Sequence, residues 1–168
     1  LNKNVIEINA NNVTLDLNGF TISGPAVCSG FPVTCNTGTG VGVYVNPQLS
    51  NITIMNGSIV GMGAMAIWIN GALSAHIDRL NVSGNGRGIY SNNGTVSNCM
   101  VTLNAGTGIT GYALLMTGNF VGMNSAYGIQ AGSYSGYSNN VLVGNSSGDV
   151  TGGAVQIGAN LCSGSPCP

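Results

Sequence analysis

The chain contains very few charged residues. Of its 168 residues, three are Lys or Arg, four are Asp or Glu and one is His, so that 4% are charged. Soluble domains are usually about one quarter charged. The three cations, Lys3, Arg79 and Arg87, are too few to form the basic surface that nucleic acid requires. We therefore expect no nucleic-acid partner, and the near-neutral surface offers little electrostatic repulsion against self-association.

Long apolar runs are also absent. No stretch of roughly 18 apolar residues occurs, because Gly, Asn or Ser interrupts each one, and this argues against a helical membrane span. Disorder is equally disfavoured, since 43% of the residues are apolar and recur at regular spacing while the net charge is −1. The 28 Gly residues indicate an all-β protein with many turns.

Residues 85–130 contain an internal repeat, in which the triplets Gly88-Ile89-Tyr90, Gly108-Ile109-Thr110 and Gly128-Ile129-Gln130 recur every 20 residues. Such a period is typical of a solenoid. Extending it yields two apolar ladders: Ile6, Val43, Ile67, Ile89, Ile109, Ile129 and Val155, and Ile22, Ile59, Val82, Val101, Val121 and Leu142. The spacing leaves no room for helices, so the ladders predict about seven coils, each with two short strands stacked in parallel.

Three segments depart from this period. Residues 25–40 are predicted to be a loop that stands off the rod, residues 146–153 a smaller bulge before the last coil, and the repeat ends after Ile157. We therefore expect a β-helix over residues 1–157 and a C-terminal tail over residues 158–168.

Five cysteines are present. Cys28 and Cys35 bracket the loop, and Cys162 and Cys167 bracket part of the tail, which favours two local disulfides in an oxidising compartment. Neither pair has neighbours at metal-finger spacing, so we expect no zinc site. Cys99 lies within the repeat and is interpreted as a small buried hydrophobic residue.

The segment "NNVTLDLNGFTISG" near the start of the chain resembles the opening coil of right-handed parallel β-helix proteins of the pectate-lyase-like superfamily. The segment "NLCSGSPCP" resembles the tail of an uncharacterised secreted bacterial subgroup within that superfamily. This resemblance implies a right-handed, single-stranded parallel β-helix with three faces, and secretion to the extracellular space or cell surface. It also implies a further N-terminal strand segment, so that the chain is truncated at its start.

Enzymes that cleave sugars on this kind of scaffold need carboxylates or cations gathered in one groove. The acidic residues here are Glu7, Asp16, Asp78 and Asp149, and the repeat register predicts that they fall on different coils. We interpret Asp16 as an outward strand residue or a turn acceptor in the first coil, and His76, Asp78 and Arg79 as a solvated turn. The sequence therefore predicts no catalytic residue, no metal and no cofactor.

Asparagines are the polar residues that recur. Asn85, Asn104, Asn124 and Asn145 keep one register, and Asn119 and Asn140 keep another. Stacked Asn amides hydrogen-bond along a rod and tolerate turn conformations with positive φ, so a structural ladder is predicted.

A stripe beside the first ladder is the candidate contact face. It comprises Tyr44, Trp68, Tyr90, Thr110, Gln130 and Gln156, flanked by the small residues Gly42, Ala66, Gly88, Gly108, Gly128 and Ala154. Such a face suits lateral packing of a second copy or stacking of a sugar, while glycines that relieve crowding at a bend are the structural alternative. An ice-binding face is disfavoured because the stripe contains one Thr in six.

These features favour a non-catalytic, secreted structural protein that self-assembles through its rod ends or this flat face into an extracellular fibre or matrix. The alternative is a polysaccharide-binding or polysaccharide-degrading module that uses the aromatic residues. A phage or adhesin shaft is the third hypothesis and predicts closed trimers.

Overall fold

The computed structural model describes residues 3–36 and 38–167. Leu1, Asn2, Thr37 and Pro168 lie outside the described residues, and so do the parts of the predicted β-helix, loop and tail that fall on them. No helix in the described ranges is long and apolar enough to cross a membrane. The strands are β1 Ile6–Ile8, β2 Val13–Asp16, β3 Thr21–Ser23, β4 Cys28–Ser29, β5 Thr34–Cys35, β6 Val41–Val45, β7 Ser50–Val60, β8 Met65–Ile69, β9 Leu73–Ser83, β10 Ile89–Ser97, β11 Met100–Thr102, β12 Ile109–Thr117, β13 Phe120–Gly122, β14 Tyr127–Ala131, β15 Gly136–Ser138, β16 Val141–Val143, β17 Gly148–Gly152, β18 Val155–Gln156, β19 Leu161–Cys162 and β20 Ser165–Pro166.

The strands stack into a right-handed parallel β-helix, as predicted, with seven rungs on each of three faces in the described part of the chain. The first face consists of β1, β6, β8, β14, β17 and the N-terminal parts of β10 and β12. The second face consists of β2, β15, β18, the N-terminal parts of β7 and β9 and the C-terminal parts of β10 and β12. The third face consists of β3, β11, β13, β16, β19 and the C-terminal parts of β7 and β9. Each coil therefore contains three strands, one more than the two that the ladders predicted.

Both predicted ladders line the core. The second ladder pairs throughout and lies on the third face, where Cys162 continues it. The first ladder is confirmed as far as Ile129, which pairs with Val150 and not with Val155. Residues 146–153 are thus not a bulge, because they contain β17, the last rung of the first face. The second face contributes a third ladder that the period did not reveal: Leu15, Ile54, Ile77, Val96, Met116 and Tyr137.

Long strands pass from one face to the next by a single residue in the left-handed region. Asn56 (φ 59°) and Arg79 (φ 49°) turn β7 and β9 from the second face to the third, and Asn93 (φ 56°) and Ala113 (φ 50°) turn β10 and β12 from the first to the second. Asn takes this conformation more readily than most residues because its short polar side chain bonds locally. This bend is why two faces appear within one uninterrupted strand.

The predicted asparagine ladder is confirmed. Its members are 0% exposed except for the last, which is 8% exposed: Asn85, Asn104, Asn124 and Asn145. The side-chain amide of each residue donates to the Oδ1 atom of the next, at 3.1, 2.9 and 3.0 Å. The backbone N–H groups of the first three donate to the same oxygens. The ladder therefore satisfies buried polar groups from coil to coil, as buried amides must be satisfied.

The tolerance of Asn for positive φ is not used at these four positions. The positive φ falls on the residue before each of them, namely Gly84 (62°), Leu103 (55°), Met123 (55°) and Gly144 (64°). The corner is formed by that residue, which turns the following Asn side chain inward. The asparagines are thus selected for their hydrogen bonds and not for their backbone conformation.

A second ladder runs along the corner between the second and third faces. Asn119 donates to Asn140 at 3.0 Å and Asn140 to Asn160 at 2.9 Å. Cys99 begins this ladder, because its backbone N–H donates to the Oδ1 atom of Asn119 at 3.0 Å. The thiol is free and 2% exposed, and burial raises its pKa to about 12. Its interpretation as a small buried residue is confirmed.

Both predicted disulfides are present, between Cys28 and Cys35 and between Cys162 and Cys167. Each joins an antiparallel pair, β4 with β5 and β19 with β20. The tail is not separate from the rod, since β19 pairs in parallel with β16 and supplies the last rung of the third face. Disulfides of this kind are typical of an oxidising compartment.

The loop closed by Cys28 and Cys35 lies against the rod and does not stand off it. Val33 is only 4% exposed, and its carbonyl accepts a hydrogen bond of 2.9 Å from the hydroxyl of Ser125, 92 residues away. At the other end of the loop the N–H group of Ala26 donates to the carbonyl of Gly61. Burial of apolar surface and these hydrogen bonds explain why the loop packs against the rod. The loop thereby connects the first coil to later coils.

The hydroxyl of Ser91 is buried in the core of the first face without a hydrogen-bond partner in the described residues. An unpaired buried hydroxyl costs about 1–3 kcal/mol. We therefore expect Ser91→Ala to raise the free energy of unfolding by about 1 kcal/mol, measured by urea denaturation.

The matched control is Ser97→Ala. Ser97 is similarly buried, but its hydroxyl donates to the Oδ1 atom of Asp78 at 2.8 Å. This variant should lower the stability, because a charge-assisted hydrogen bond is lost. Equal destabilisation by both substitutions would show that the Ser91 hydroxyl is satisfied in solution.

Candidate functional site

An outward row of aromatic side chains lies on the first face. Tyr44 of β6, Trp68 of β8 and Tyr90 of β10 are direct register partners on successive coils. The ring centroids of Tyr44 and Trp68 are 6.1 Å apart, and those of Trp68 and Tyr90 are 6.3 Å apart, both edge to face. Trp68 is 38% exposed. Alternation along a strand directs these three side chains away from the core, so the coil spacing alone brings the rings into contact.

The row continues through Thr110 and Gln130, as expected, but ends differently. Gln130 pairs with Thr151, whereas Gln156 pairs with Tyr137 on the second face. Gln156, and with it the adjacent Ala154, therefore does not belong to the stripe. The error follows from reading β17 as a bulge, which moved the last step of the register onto the wrong strand.

At the opposite end of the row, the partner of Tyr44 is Glu7 of β1. A carboxylate thus begins the row on the first coil. The predicted ladder had already paired Ile6 with Val43, which implies this partner, but the stripe was taken to begin at Tyr44 and left Glu7 out.

The small residues that flank the stripe are buried and do not form a contact surface. All five remaining flank residues are buried at the start of the first face: Gly42, Ala66 and Gly128 lie within β6, β8 and β14, and Gly88 and Gly108 directly precede β10 and β12. A Cβ atom at Gly88 would lie 2.2 Å from the carbonyl oxygen of Gly108 and 2.8 Å from a methyl group of Val101. The expectation of close lateral approach by another molecule is wrong for this flank, and relief of crowding at the bend explains it.

A row of amides, two of them exposed and two half-buried, runs beside the aromatic row, and sequence reasoning missed it. The amides belong to Asn9, Asn46, Asn70 and Asn92, each following a strand of the first face. Asn46 donates to Asn9, and Asn92 donates to Asn70 at 3.4 Å and to the hydroxyl of Tyr90 at 3.1 Å. The signal was present as an Asn directly after the last inward residue of each strand, namely Ile8, Val45, Ile69 and Ser91. The exposed Asn9 and Asn70 supply donors and acceptors to a molecule that lies on the rings, whereas the Oδ1 atom of Asn92 is buried and has no hydrogen-bond partner in the described residues.

A cleft of about 260 Å³ adjoins the other side of Tyr90. Its lining residues come from four successive coils: Met65, Arg87, Tyr90, Gly106, Thr107, Thr110, Ala126 and Gln130. The hydroxyl of Thr107 lies 3.4 Å from the Oε1 atom of Gln130. The cleft combines one guanidinium with hydroxyl and amide groups and an aromatic edge, and no carboxylate lines it.

The acidic residues occupy separate positions on the rod, but not four separate coils. Glu7 and Asp16 both belong to the first coil, on β1 and β2, which corrects the expected distribution. Asp16 accepts from the backbone N–H of Asn18 at 2.8 Å, as expected for a turn acceptor. Asp149 accepts from Asn145 at 2.9 Å and from the hydroxyl of Ser163 at 2.6 Å. Among the described residues, no group of three or more His, Cys, Asp or Glu side chains could hold a metal ion.

Asp78 is not in a solvated turn, because it lies within β9 and is 4% exposed. Burial raises the pKa of its carboxyl group, but hydrogen bonds from Asn98 (2.9 Å) and Ser97 (2.8 Å) and the charge of Arg79 outweigh burial, so that the pKa lies below its usual value. Arg79 forms an ion pair with it and donates to Asn56 at 2.7 Å. The cluster is a paired carboxylate at the corner of the second and third faces, consistent with a structural role.

Comparison with known proteins finds no matching family model, no matching curated protein and no matching solved structure.

Proposed function

We propose that this protein is a secreted, non-catalytic β-helix that binds neutral polysaccharide along its first face. The observation that carries the proposal is the row formed by Tyr44, Trp68 and Tyr90, three rings in contact on successive coils and directed outward. Aromatic faces provide apolar area with little conformational entropy, and a pyranose ring presents C–H groups that pack against them.

The surroundings of the row support an uncharged ligand with many hydroxyl groups. The row of amides that ends at Asn92 lies on one side of the rings, and the cleft with Thr107 and Gln130 lies on the other. Hydrogen-bonding groups therefore flank the rings on both sides. The charged groups of this face are Glu7 at one end, Arg87 in the cleft, and Asp149 of β17 at the other end, which is hydrogen-bonded to Asn145 and Ser163. Their separate placement argues for binding and not for acid–base cleavage, which needs two carboxyl groups on opposite sides of one bond.

Secretion and membership of the pectate-lyase-like superfamily belong to the same proposal. Two disulfides support an oxidising compartment, and the parallel β-helix is the architecture that the resemblance implies. The fold alone does not determine function, so the ligand is argued from the residues of the first face.

We expect Trp68→Ala and Tyr90→Ala each to weaken polysaccharide binding by about 10- to 100-fold, since an aromatic anchor at the centre of a contact carries a large share of its free energy. Retardation of the protein in native gels that contain xyloglucan, xylan or glucomannan measures this. The matched control is Tyr134→Ala, which removes an 84% exposed ring that lies outside the row.

Absence of retardation of the unmodified protein by all three polysaccharides would overturn the proposal. Equal loss of retardation in the Tyr134 variant would show that binding is not confined to the row. Stronger retardation by alginate, an anionic polymer, than by the neutral polymers would show that the ligand is anionic and binds at Arg87.

Self-assembly into a fibre or matrix, which the sequence favoured first, stays a prediction, and so does the trimeric shaft. The small-residue flank does not support lateral packing, because it is buried. Any lateral association of this rod therefore needs a different surface.

A further inference from the structure

The outward side of the third face changes character along the rod. On the first three coils its central row is polar, with Thr21, Ser58 and Asn81 in register. On the next four coils the same row consists of large apolar side chains: Met100, Phe120, Val141 and Leu161. These four are 47%, 37%, 38% and 43% exposed.

Two further apolar side chains extend this surface towards the first face. Leu103 and Met123 are 42% and 40% exposed, and both hold φ of 55°. A left-handed backbone is unfavourable for such residues, and Gly84 and Gly144 take the same position in the neighbouring coils. The corner between the third and first faces therefore requires no side chain at this position. Leu103 and Met123 have an unfavourable backbone conformation there and also expose apolar side chains.

The six residues form one apolar surface, which we call the third-face patch. A fully exposed side chain of this size offers roughly 150–200 Å². At about two-fifths exposure the patch presents on the order of 400 Å² of apolar side chain, within the range of the largest patch on a typical monomer. A standard interface buries about 800 Å² per partner, so the patch supplies about half of that area and the polar residues around it must supply the rest.

We propose that the third-face patch packs against the same patch of a second copy, sheet against sheet, to form a two-fold dimer. A two-fold interface brings one surface against itself, so the surface must be complementary to its own chemistry. An uncharged apolar surface meets this condition because its pairing with itself buries no charge and creates no repulsion. Flat sheets with apolar outward residues pack face to face in this way.

The dimer does not rest on polysaccharide binding. It covers the third face and leaves the aromatic row of the first face open on both copies. If both proposals hold, the dimer presents two binding rows and gains avidity for a long polymer from their linkage.

Sedimentation velocity of the disulfide-intact chain over a range of concentrations tests the dimer. We expect a concentration-dependent dimer that Phe120→Lys weakens by at least about tenfold, since two charges enter the centre of the contact. Phe20→Lys is the matched control, because Phe20 is 72% exposed on the first coil and lies outside the patch, and it should dimerise like the unmodified protein.

Met100→Lys provides a second variant should the Phe120 change impair folding, which far-UV circular dichroism would reveal. A monomer at every concentration would overturn the proposal, and so would a dimer that both patch variants leave intact. A monomer that adsorbs to phosphatidylcholine vesicles through the patch would assign the surface to lipid and also overturn it.

Discussion

Replacing Asn124 by Ala is expected to lower the free energy of unfolding by roughly 3–6 kcal/mol, because it leaves several buried polar groups unpaired at about 1–3 kcal/mol each. The Oδ1 atom of Asn124 accepts from the backbone N–H and the side-chain amide of Asn104, at 3.1 and 2.9 Å. Its own amide donates to Asn145 and to the carbonyl of Val101, both at 3.0 Å. Domains of this size have a total stability of about 5–15 kcal/mol. The variant should therefore melt far below the unmodified protein or fail to fold.

Thermal unfolding followed by circular dichroism measures this loss, with Asn70→Ala as the control. Asn70 is exposed and accepts a long hydrogen bond of 3.4 Å from Asn92. Its replacement should change the stability by no more than about 0.5 kcal/mol. Similar melting of the Asn124 variant and the unmodified protein would mean that water replaces the missing amide, and that the ladder contributes little.

The second large effect is expected for Gly88→Ala. The added methyl group would meet the carbonyl oxygen of Gly108 at 2.2 Å and the Val101 side chain at 2.8 Å. Because one of these atoms belongs to the backbone of the next coil, relief requires the coils to move apart locally. Overpacking typically costs about 1–3 kcal/mol, and we expect the upper end of this range or more.

Gly153→Ala is the appropriate control, since a methyl group there finds its nearest neighbours at 3.4 Å, an ordinary contact. The stabilities of both variants are compared by urea unfolding of the disulfide-intact protein. Unchanged stability of Gly88→Ala would contradict the close approach of the fourth and fifth coils at this corner. It would also reopen the small-residue flank as a surface with room for another molecule.

The period of the repeat identified the parallel β-helix and two of its three core ladders. It did so because apolar side chains that stack coil upon coil must recur at the coil length. The second face escaped detection for a physical reason. β9 and β12 turn between faces at Arg79 and Ala113, which are not turn-forming residue types, and the Asn56-Gly57 and Asn93-Gly94 turns of β7 and β10 lie within uninterrupted strands.

The last coil shows a second limit of periodicity. Residues 146–153 carry Ser and Gly, and their strand β17 has one apolar core residue, Val150, so that the pattern pointed to Val155 instead. The assignment of Ala154 and Gln156 to the stripe failed with it. Backbone pairing with β14 determines the register, and that pairing leaves little trace in side-chain polarity.

The sequence by itself determined the repeat, the two disulfide pairs, the asparagine ladder and the succession of Tyr44, Trp68 and Tyr90. Each of these depends on local spacing or on a recurrence that one coil length explains. Only the tertiary structure decided which side of the stripe is exposed, that the loop packs down at Val33, and that Met100 to Leu161 form an apolar surface. Those features depend on how the three faces pack against one another. Neighbouring coils bury the small residues beside the stripe and leave the apolar residues of the third-face patch exposed.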